Sequence, residues 1–473
     1  ARPCSMGVSF LAELNNDCSL TITAKGGRYR RREAEHTESG KTKTTLWWLR
    51  SNVKITTTFK AQSILEKNGI IPSDVPPVTV NCDGLDIRIE LFSRPAPSNK
   101  EGNSPLRLIT ICMVNRTGMK AVDSLDENCL FQSRFVVKAV DRNGAGIVHP
   151  YPVPELSSSN EEEQSLRLLY RKSLTFATGH GCAADWDSTE GATRSSAVKA
   201  VPFPVFETAS ITPQIFREDG SELLVSMISL AGLDKNNDGM SSLEEVVQRY
   251  GLWIDKKEEE ARGLAEEYQN ATRLHLFQCR RCHARMLDGL TYLKTDKAAA
   301  EAFQLANHAI LLQQIRSFRE SRTPEWNEDE RRIVFKNKFI NPDPLKPESG
   351  RGTWRPFQIA FILMTVRSCA EDSSSDPFIK ECDNRNTVEL IWFPTGGGKT
   401  EAYLGLTAFA LFMRRMKNKE DIGTHVLMRY TLRLLTAQQF QRAAGLICAM
   451  EYLRRKNEKL LGSHEYSIGI WLG

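Results

Sequence analysis

The sequence predicts a mixed, multidomain protein. Residues 1–215 should form a β-rich accessory domain, residues 216–345 an α-helical domain, and residues 346–473 the incomplete start of an α/β domain. Three observations support that division. Up to about residue 213, short runs alternate apolar and polar positions, the period of strands with one buried face. The pattern then switches to apolar residues three and four apart, the period of a helix. Near the end, a mostly apolar run enters three glycines, a lysine and a threonine, and another helical pattern follows.

In the first region the alternation is clear in Leu20-Thr21-Ile22-Thr23, in Val53-Lys54-Ile55-Thr56 and in Leu85-Asp86-Ile87-Arg88-Ile89-Glu90-Leu91. Residues 106–115 and 135–140 add strands, and turn-rich stretches such as 94–105, with three prolines, separate them. Short strands with such spacers suggest a sandwich or a barrel-like domain. The basic cluster Arg28-Tyr29-Arg30-Arg31-Arg32 follows Gly26-Gly27. As a loop it could grip a phosphate backbone, with Tyr29 as a stacking face; a solvated hairpin tip is the simpler reading. Gly179-His180-Gly181-Cys182, followed by Asp185, implies a placed imidazole. No partner cluster with metal-ligand spacing follows, which favours a structural turn.

Residues 222–231, 243–253, 261–290 and 298–319 read as helices; in the last, Ala302, Leu305, Ala306, Ala309, Ile310 and Gln313 make one stripe. Between the first two lies Asp234-Lys235-Asn236-Asn237-Asp238-Gly239, with Glu245 at the twelfth position. Oxygen ligands at positions 1, 3 and 5, a glycine at 6 and a glutamate at 12 fit a calcium loop, so Asp234, Asn236, Asp238 and Glu245 are candidate ligands. Ser241 at the usually apolar eighth position and the lack of a second such loop favour a capping turn instead. Cys279-Arg280-Arg281-Cys282-His283 matches a haem-attachment spacing and half a zinc site, yet no second cysteine pair completes it.

The last region opens after the proline-rich stretch 341–347. Trp354-Arg355-Pro356-Phe357-Gln358 starts a helix, and residues 388–393, polar only at Glu389, should be the strand that leads into Pro394-Thr395-Gly396-Gly397-Gly398-Lys399-Thr400. Strand, glycine-rich turn and helix N-terminus, in that order, make a phosphate-binding loop. Glycines let backbone N–H groups approach phosphate oxygens, the lysine reaches the β- and γ-phosphates, and the threonine hydroxyl ligates Mg²⁺. ATP with Mg²⁺ is the expected cofactor pair. Residues 425–428 and 467–473 read as further core strands.

Composition narrows the classes. Apolar content of 41% and charged content of 26% describe a globular chain, and no apolar run approaches the ~18 residues that span a bilayer. Eleven scattered cysteines suit reduced thiols and a cytoplasmic location. A net charge of +5 is too weak to argue for nucleic acid by itself.

The form Pro-Thr-Gly-x-Gly-Lys-Thr, with Phe393 where the general rule places a glycine, resembles superfamily 2 helicases, whose motor domains are RecA-like. That resemblance implies adenine reading by Gln358, with Phe357 or Trp354 as a stacking neighbour. It also implies a nucleic-acid backbone held at Arg429, Tyr430, Thr431, Arg433, Thr436 and Gln439, where arginines, hydroxyls and amides meet a helix start. Residues 179–186, Arg285-Met286, Ala302-Phe303, Ala306-Asn307, 393–404 and 430–439 together resemble the DrmA family, helicase subunits of the DISARM anti-phage defence system. Membership implies a bacterial protein acting on DNA with a DrmB-like partner subunit and DNA methylation enzymes. No Asp-Glu pair follows the phosphate loop. The expectation is therefore the N-terminal part of a longer ATPase, inactive alone for want of motif II and the second motor domain. A nucleotide-regulated, nucleic-acid-binding scaffold and an RNA helicase are the alternatives.

Overall fold

The computed structural model describes residues 4–38, 41–65, 73–96, 106–118, 125–151, 160–187, 192–205, 214–317, 323–335, 342–370, 374, 376–382, 387–392, 397–430 and 433–471. They fall into two compact units, Ala1–Ala209 and Ser210–Gly473.

The first unit is built from β1 (Ser5–Glu13), β2 (Ser19–Glu38), β3 (Lys41–Lys60), β4 (Ser73–Cys82), β5 (Leu85–Pro95), β6 (Leu106–Asn115), β7 (Phe131–Val140), β8 (Val148–His149), β9 (Ala177–His180), β10 (Ala183–Asp187) and β11 (Ala197–Val201). Two short helices, α1 (Ala61–Leu65) and α2 (Glu161–Tyr170), interrupt them. One sheet runs β4-β5-β6-β1-β8, with β9 also on β1; the other runs β10-β11-β7-β2-β3. Alternation decides which side chains meet. In β5, Leu85, Ile87, Ile89 and Leu91 are buried while Asp86, Arg88 and Glu90 are not. They share one core with Val8 and Phe10 of the same sheet and with Leu20, Ile22, Phe135 and Val137 of the other. Two antiparallel sheets closed over one apolar layer make a β-sandwich.

The glycine-flanked histidine lies where β9 turns into β10 and the chain passes from one sheet to the other. Gly181 takes φ +68°, and His180 Nε2 lies 2.7 Å from the Ser9 hydroxyl. Cys182 donates to the Gly7 carbonyl and Asp185 pairs with Lys199, so these residues form a structural turn. The arginine cluster departs from its expected place. It lies on the shaft of the long β2–β3 hairpin, not at a tip.

The second unit is mostly helical: α3 (Met227–Leu230), α4 (Met240–Ala261), α5 (Gln269–Thr295), α6 (Lys297–Arg316), α7 (Pro356–Cys369), α8 (Pro377–Cys382), α9 (Lys399–Lys417), α10 (Arg433–Lys456) and α11 (Glu458–Leu461). Two small antiparallel pairs accompany them, β12 (Val225–Ser226) with β15 (Thr353–Trp354) and β13 (Pro324–Asn327) with β14 (Arg332–Phe335). One core joins Leu243 and Val246 of α4, Met286 and Leu290 of α5, Phe303 and Ile310 of α6, Ile362 and Leu363 of α7, Phe409 and Phe412 of α9, and Met450 of α10. Helix α5 meets α7 closely at Gly289, where a Cβ would lie 1.8 Å from the Leu363 carbonyl oxygen.

Two expectations change here. The stretch 261–290 is not helical from its start, because α4 ends at Ala261 and residues 262–268 turn before α5 begins. More consequentially, residues 387–392, 424–430 and 464–471 form no strands. Every sheet among the described residues is antiparallel, and the parallel sheet of a RecA-like domain is not seen among them. A helix satisfies its own backbone, whereas a strand needs a neighbour. These apolar runs have none among the described residues, and Val388, Leu390, Trp392, Leu427 and Trp471 are exposed.

Candidate functional site

The described residues of the expected phosphate loop, Gly397 to Thr400, lie at the N-terminus of α9. Gly398 is its N-cap residue, at φ +85°, a left-handed conformation that disfavours any side chain. Lys399 and Thr400 occupy the first turn, half-buried. A Cβ on Gly398 would come within 2.8 Å of Gln358 Nε2 and 3.3 Å of Glu401 Oε2. The loop is thus built for bare backbone. Thr395 and Gly396, the other two candidate loop residues, lie outside the described residues.

What holds that backbone is the start of α7. Pro356 opens the helix with its ring preset for the first turn. Gln358 then accepts from the Arg355 backbone N–H through Oε1 (2.8 Å) and donates from Nε2 to the Gly398 carbonyl (2.7 Å). The Arg355 guanidinium donates to the Gly397 carbonyl (2.6 Å). Two consecutive loop carbonyls are therefore bound from one side by one helix end. Gln358 is only 4% exposed, with both ends of its amide engaged, so reading an adenine edge requires it to leave both bonds. Trp354 is not available for stacking on a base. It is buried in the core, its indole N–H donates to Asn307 Oδ1 (2.6 Å), and its ring abuts Gly405 of α9.

The segment ahead of the loop is anchored as well. Arg285 of α5, 5% exposed, pairs with Glu389 and donates to the Met364 carbonyl of α7 (3.1 Å). Glu389 is the lone polar residue of the apolar run, and this pair gives it a structural reason.

The proposed nucleic-acid residues lie along 429–439. Glu401, in the first turn of α9, pairs with Arg442 of α10, which ties the loop helix to the helix that begins at Arg433. Arg429 is exposed and Tyr430 half-buried, its hydroxyl pushed up by burial while Arg442 works the other way. Thr436 and Gln439 are half-buried, and Gln439 Oε1 is a buried acceptor without a partner among the described residues. Thr431 lies outside the described residues, as does the side chain of Arg433.

No protein-family model matches the chain. Over 402 residues, 82% of its length, it is 31% identical to DISARM protein DrmA of Bacillus paralicheniformis. This chain is a relative of DrmA. It spans 32% of that protein's length. A likeness over four-fifths of the chain extends well beyond the short loop motif. The relation to DrmA also agrees with the resemblance drawn from the motifs, which spans both structural units.

The calcium ligands are not assembled. Glu245, required at the twelfth position, accepts three bonds from Arg217 (2.7, 2.8 and 3.1 Å) and pairs again with Arg249. Those arginine bonds hold the Glu245 carboxyl below the usual range. Asp234 and Asp238 accept from backbone N–H groups two residues on, as capping turns do, and no metal-binding cluster forms among the described residues. The capping turn is what the loop forms. Cys279 and Cys282 lie half-buried on α5, with burial pushing the Cys282 thiol up. No helix of the described residues is long and apolar enough to cross a membrane.

The bonding roles of Arg355, Arg285, Glu401 and Arg442 escaped sequence reading. Only two signals were present: an arginine just before a helix-starting proline, and a single acid inside an apolar run.

Proposed function

We propose that this chain carries the nucleotide-binding part of an ATP-dependent DNA translocase of a DISARM-type defence system. The observation that supports this most is the loop at α9. Glycine carbonyls are held from behind by Arg355 and Gln358, a left-handed glycine caps the helix, and Lys399 and Thr400 begin it. These residues fit a triphosphate with Mg²⁺. Lys399 would hold the β- and γ-phosphates, Thr400 would ligate the metal, and the α9 dipole adds positive potential. The bound metal would supply charge neutralisation between the phosphates.

On this reading Arg429, Tyr430, Thr431, Arg433, Thr436 and Gln439 hold a DNA backbone beside the nucleotide, through the Glu401–Arg442 link. The whole protein works in the bacterial cytoplasm with a DrmB-like subunit. Hydrolysis by such a motor also uses an acidic motif and a second motor domain that closes the site. Lys399→Ala should abolish binding of a fluorescent ATP analogue by the folded chain. Unchanged affinity in that variant removes the central claim.

A nucleotide-regulated scaffold is the second reading, favoured by the inward-turned Gln358. Nucleic-acid-stimulated ATPase activity of the full-length protein separates the two. The motor requires it and the scaffold lacks it. An RNA helicase would show the same stimulation by RNA in place of DNA, because backbone contacts separate the two poorly.

A further inference from the structure

The β2–β3 hairpin is twice the length that its sheet supports. The two strands pair from Ser19↔Lys60 to Glu38↔Lys41, while β7 covers β2 only from Ser19 to Gly27. Residues 28–38 and 41–51 therefore leave the sandwich as a two-stranded ribbon, roughly 35 Å long at about 3.3 Å per residue. Its base is fastened. Arg28 is buried and donates to the Glu127 carbonyl (2.6 Å), Arg30 pairs with Asp83 (2.9 Å), and Tyr29 meets Phe131 edge-on at 5.3 Å.

Beyond the base, the ribbon exposes its largest side chains. Trp47 is 58% and Trp48 43% exposed, with Leu46 and Leu49 exposed beside them. Cross-strand register places an arginine opposite each indole. Arg32 faces Trp47 on one side of the ribbon, and Arg31 faces Trp48 on the other, its guanidinium 5.0 Å from the ring centroid. Arg32 makes no ion pair among the described residues. Between Arg28 and Ser51 the sequence holds seven basic residues against three acidic ones.

That arrangement selects among occupants. A protein-docking core gathers apolar residues on one face and depletes charge there. Here the four apolar residues divide between the two faces, and three of them lie opposite an arginine. Indole planes flanked by guanidinium groups instead suit a single strand, whose unstacked bases lie on the rings while arginines take the phosphates. A duplex keeps its base faces stacked inside and cannot use the indoles in that way.

We propose that the β2–β3 ribbon is a binding arm for single-stranded nucleic acid, with Trp47 and Trp48 as base-stacking platforms and Arg31 and Arg32 as phosphate contacts. It extends the reading above, which needs a nucleic-acid partner, but it lies in the other structural unit and stands or falls separately.

The test uses the full chain, without nucleotide, and fluorescence anisotropy of labelled dT20 and of a 20-base-pair duplex across a salt series. Trp47→Ala/Trp48→Ala, which removes both stacking platforms, should weaken dT20 binding by about thirtyfold or more, with the duplex little changed. Arg31→Gln/Arg32→Gln should flatten the salt slope for dT20 by about 1.4, at ~0.7 for each phosphate that an arginine no longer neutralises. Trp47→Phe/Trp48→Phe, which keeps an apolar ring on the ribbon, serves if the alanine variant does not fold, and should still weaken binding. Parent-like dT20 affinity in folded tryptophan and arginine variants overturns the proposal; so does equal loss for dT20 and duplex. A concentration-dependent oligomer that dissociates in the tryptophan variant, with dT20 binding intact, overturns it in favour of a protein occupant. Folded tryptophan and arginine variants should keep the parent's affinity for a fluorescent ATP analogue, so failure of the arm and failure of the nucleotide site read out on different measurements.

Discussion

Gly398→Ala tests whether the loop at α9 is held as the structure has it. Gly398 adopts φ +85°, and forcing an alanine into the left-handed region costs about 1–2 kcal/mol. The added methyl also meets Gln358 Nε2 at 2.8 Å, and this neighbour cannot give cheaply. Gln358 is buried and fixed at both ends, by the Arg355 N–H and by the Gly398 carbonyl itself. Moving it away breaks a hydrogen bond to a buried group, about 1 kcal/mol net for a neutral pair. The sum is a loss of about 2–3 kcal/mol, together with displacement of the first turn that carries Lys399 and Thr400. Urea denaturation followed by circular dichroism should show the lower midpoint, and titration with a fluorescent ATP analogue should show weaker binding at a temperature where the variant is folded. A variant within ~0.5 kcal/mol of the parent, the scale of an ordinary surface substitution, would refute this account of the loop.

Arg285→Met leaves Glu389 without its buried partner and should cost about 2–3 kcal/mol in urea, the low end for a broken pair because Glu389 reaches solvent; Glu389→Leu added to it should recover much of the loss. Trp354→Phe strands the Oδ1 of Asn307, itself 1% exposed, and should lower stability by about 2–3 kcal/mol, measured the same way. Glu451 is held at about 2, chiefly by Arg454 and then by the Tyr466 N–H and Arg455. A carboxyl depressed on folding stabilises above its unfolded value, about 4.3, and that contribution disappears as the pH falls through the folded value. The stability gap between the parent and Glu451→Gln, about 2–3 kcal/mol at pH 7, should therefore close between pH 4.5 and 2.

The sandwich was legible because alternation is local. The buried Leu85, Ile87, Ile89 and Leu91 of β5 are the apolar positions of a visible period-two run. Helix α6 was legible for the same reason at period three to four, as was α9 behind its glycines. Partnership across sequence was not. Nothing near Glu245 announces that Arg217, twenty-eight residues earlier, occupies the carboxylate that the calcium spacing assigned to a metal. Arginine is ordinarily a surface residue, so its type gives no hint that Arg285 is buried. The expected strands at 388–393, 425–428 and 467–473 do not form over their described residues for a related reason. Hydropathy marks a segment as fit for a sheet, but the ladder needs neighbours, and the described residues supply none.

Gln358 is where the sequence expectation and the geometry meet most closely. As an adenine reader it would form a bidentate pair worth about 1–3 kcal/mol against the wrong base. As found, it closes the start of α7 and holds the Gly398 carbonyl, two neutral bonds worth about 2 kcal/mol net together. One carboxamide cannot do both at once, and the two energies nearly balance. Arg355 breaks the dependence, because its bond to the Gly397 carbonyl survives when Gln358 turns away. The loop therefore keeps one of its two supports whichever way the glutamine points. Base recognition by Gln358 would then be paid for at Gly398 rather than by collapse of the whole phosphate cradle, and the first turn of α9 is the element through which a bound base would be felt by Glu401 and, across the ion pair, by Arg442 of α10.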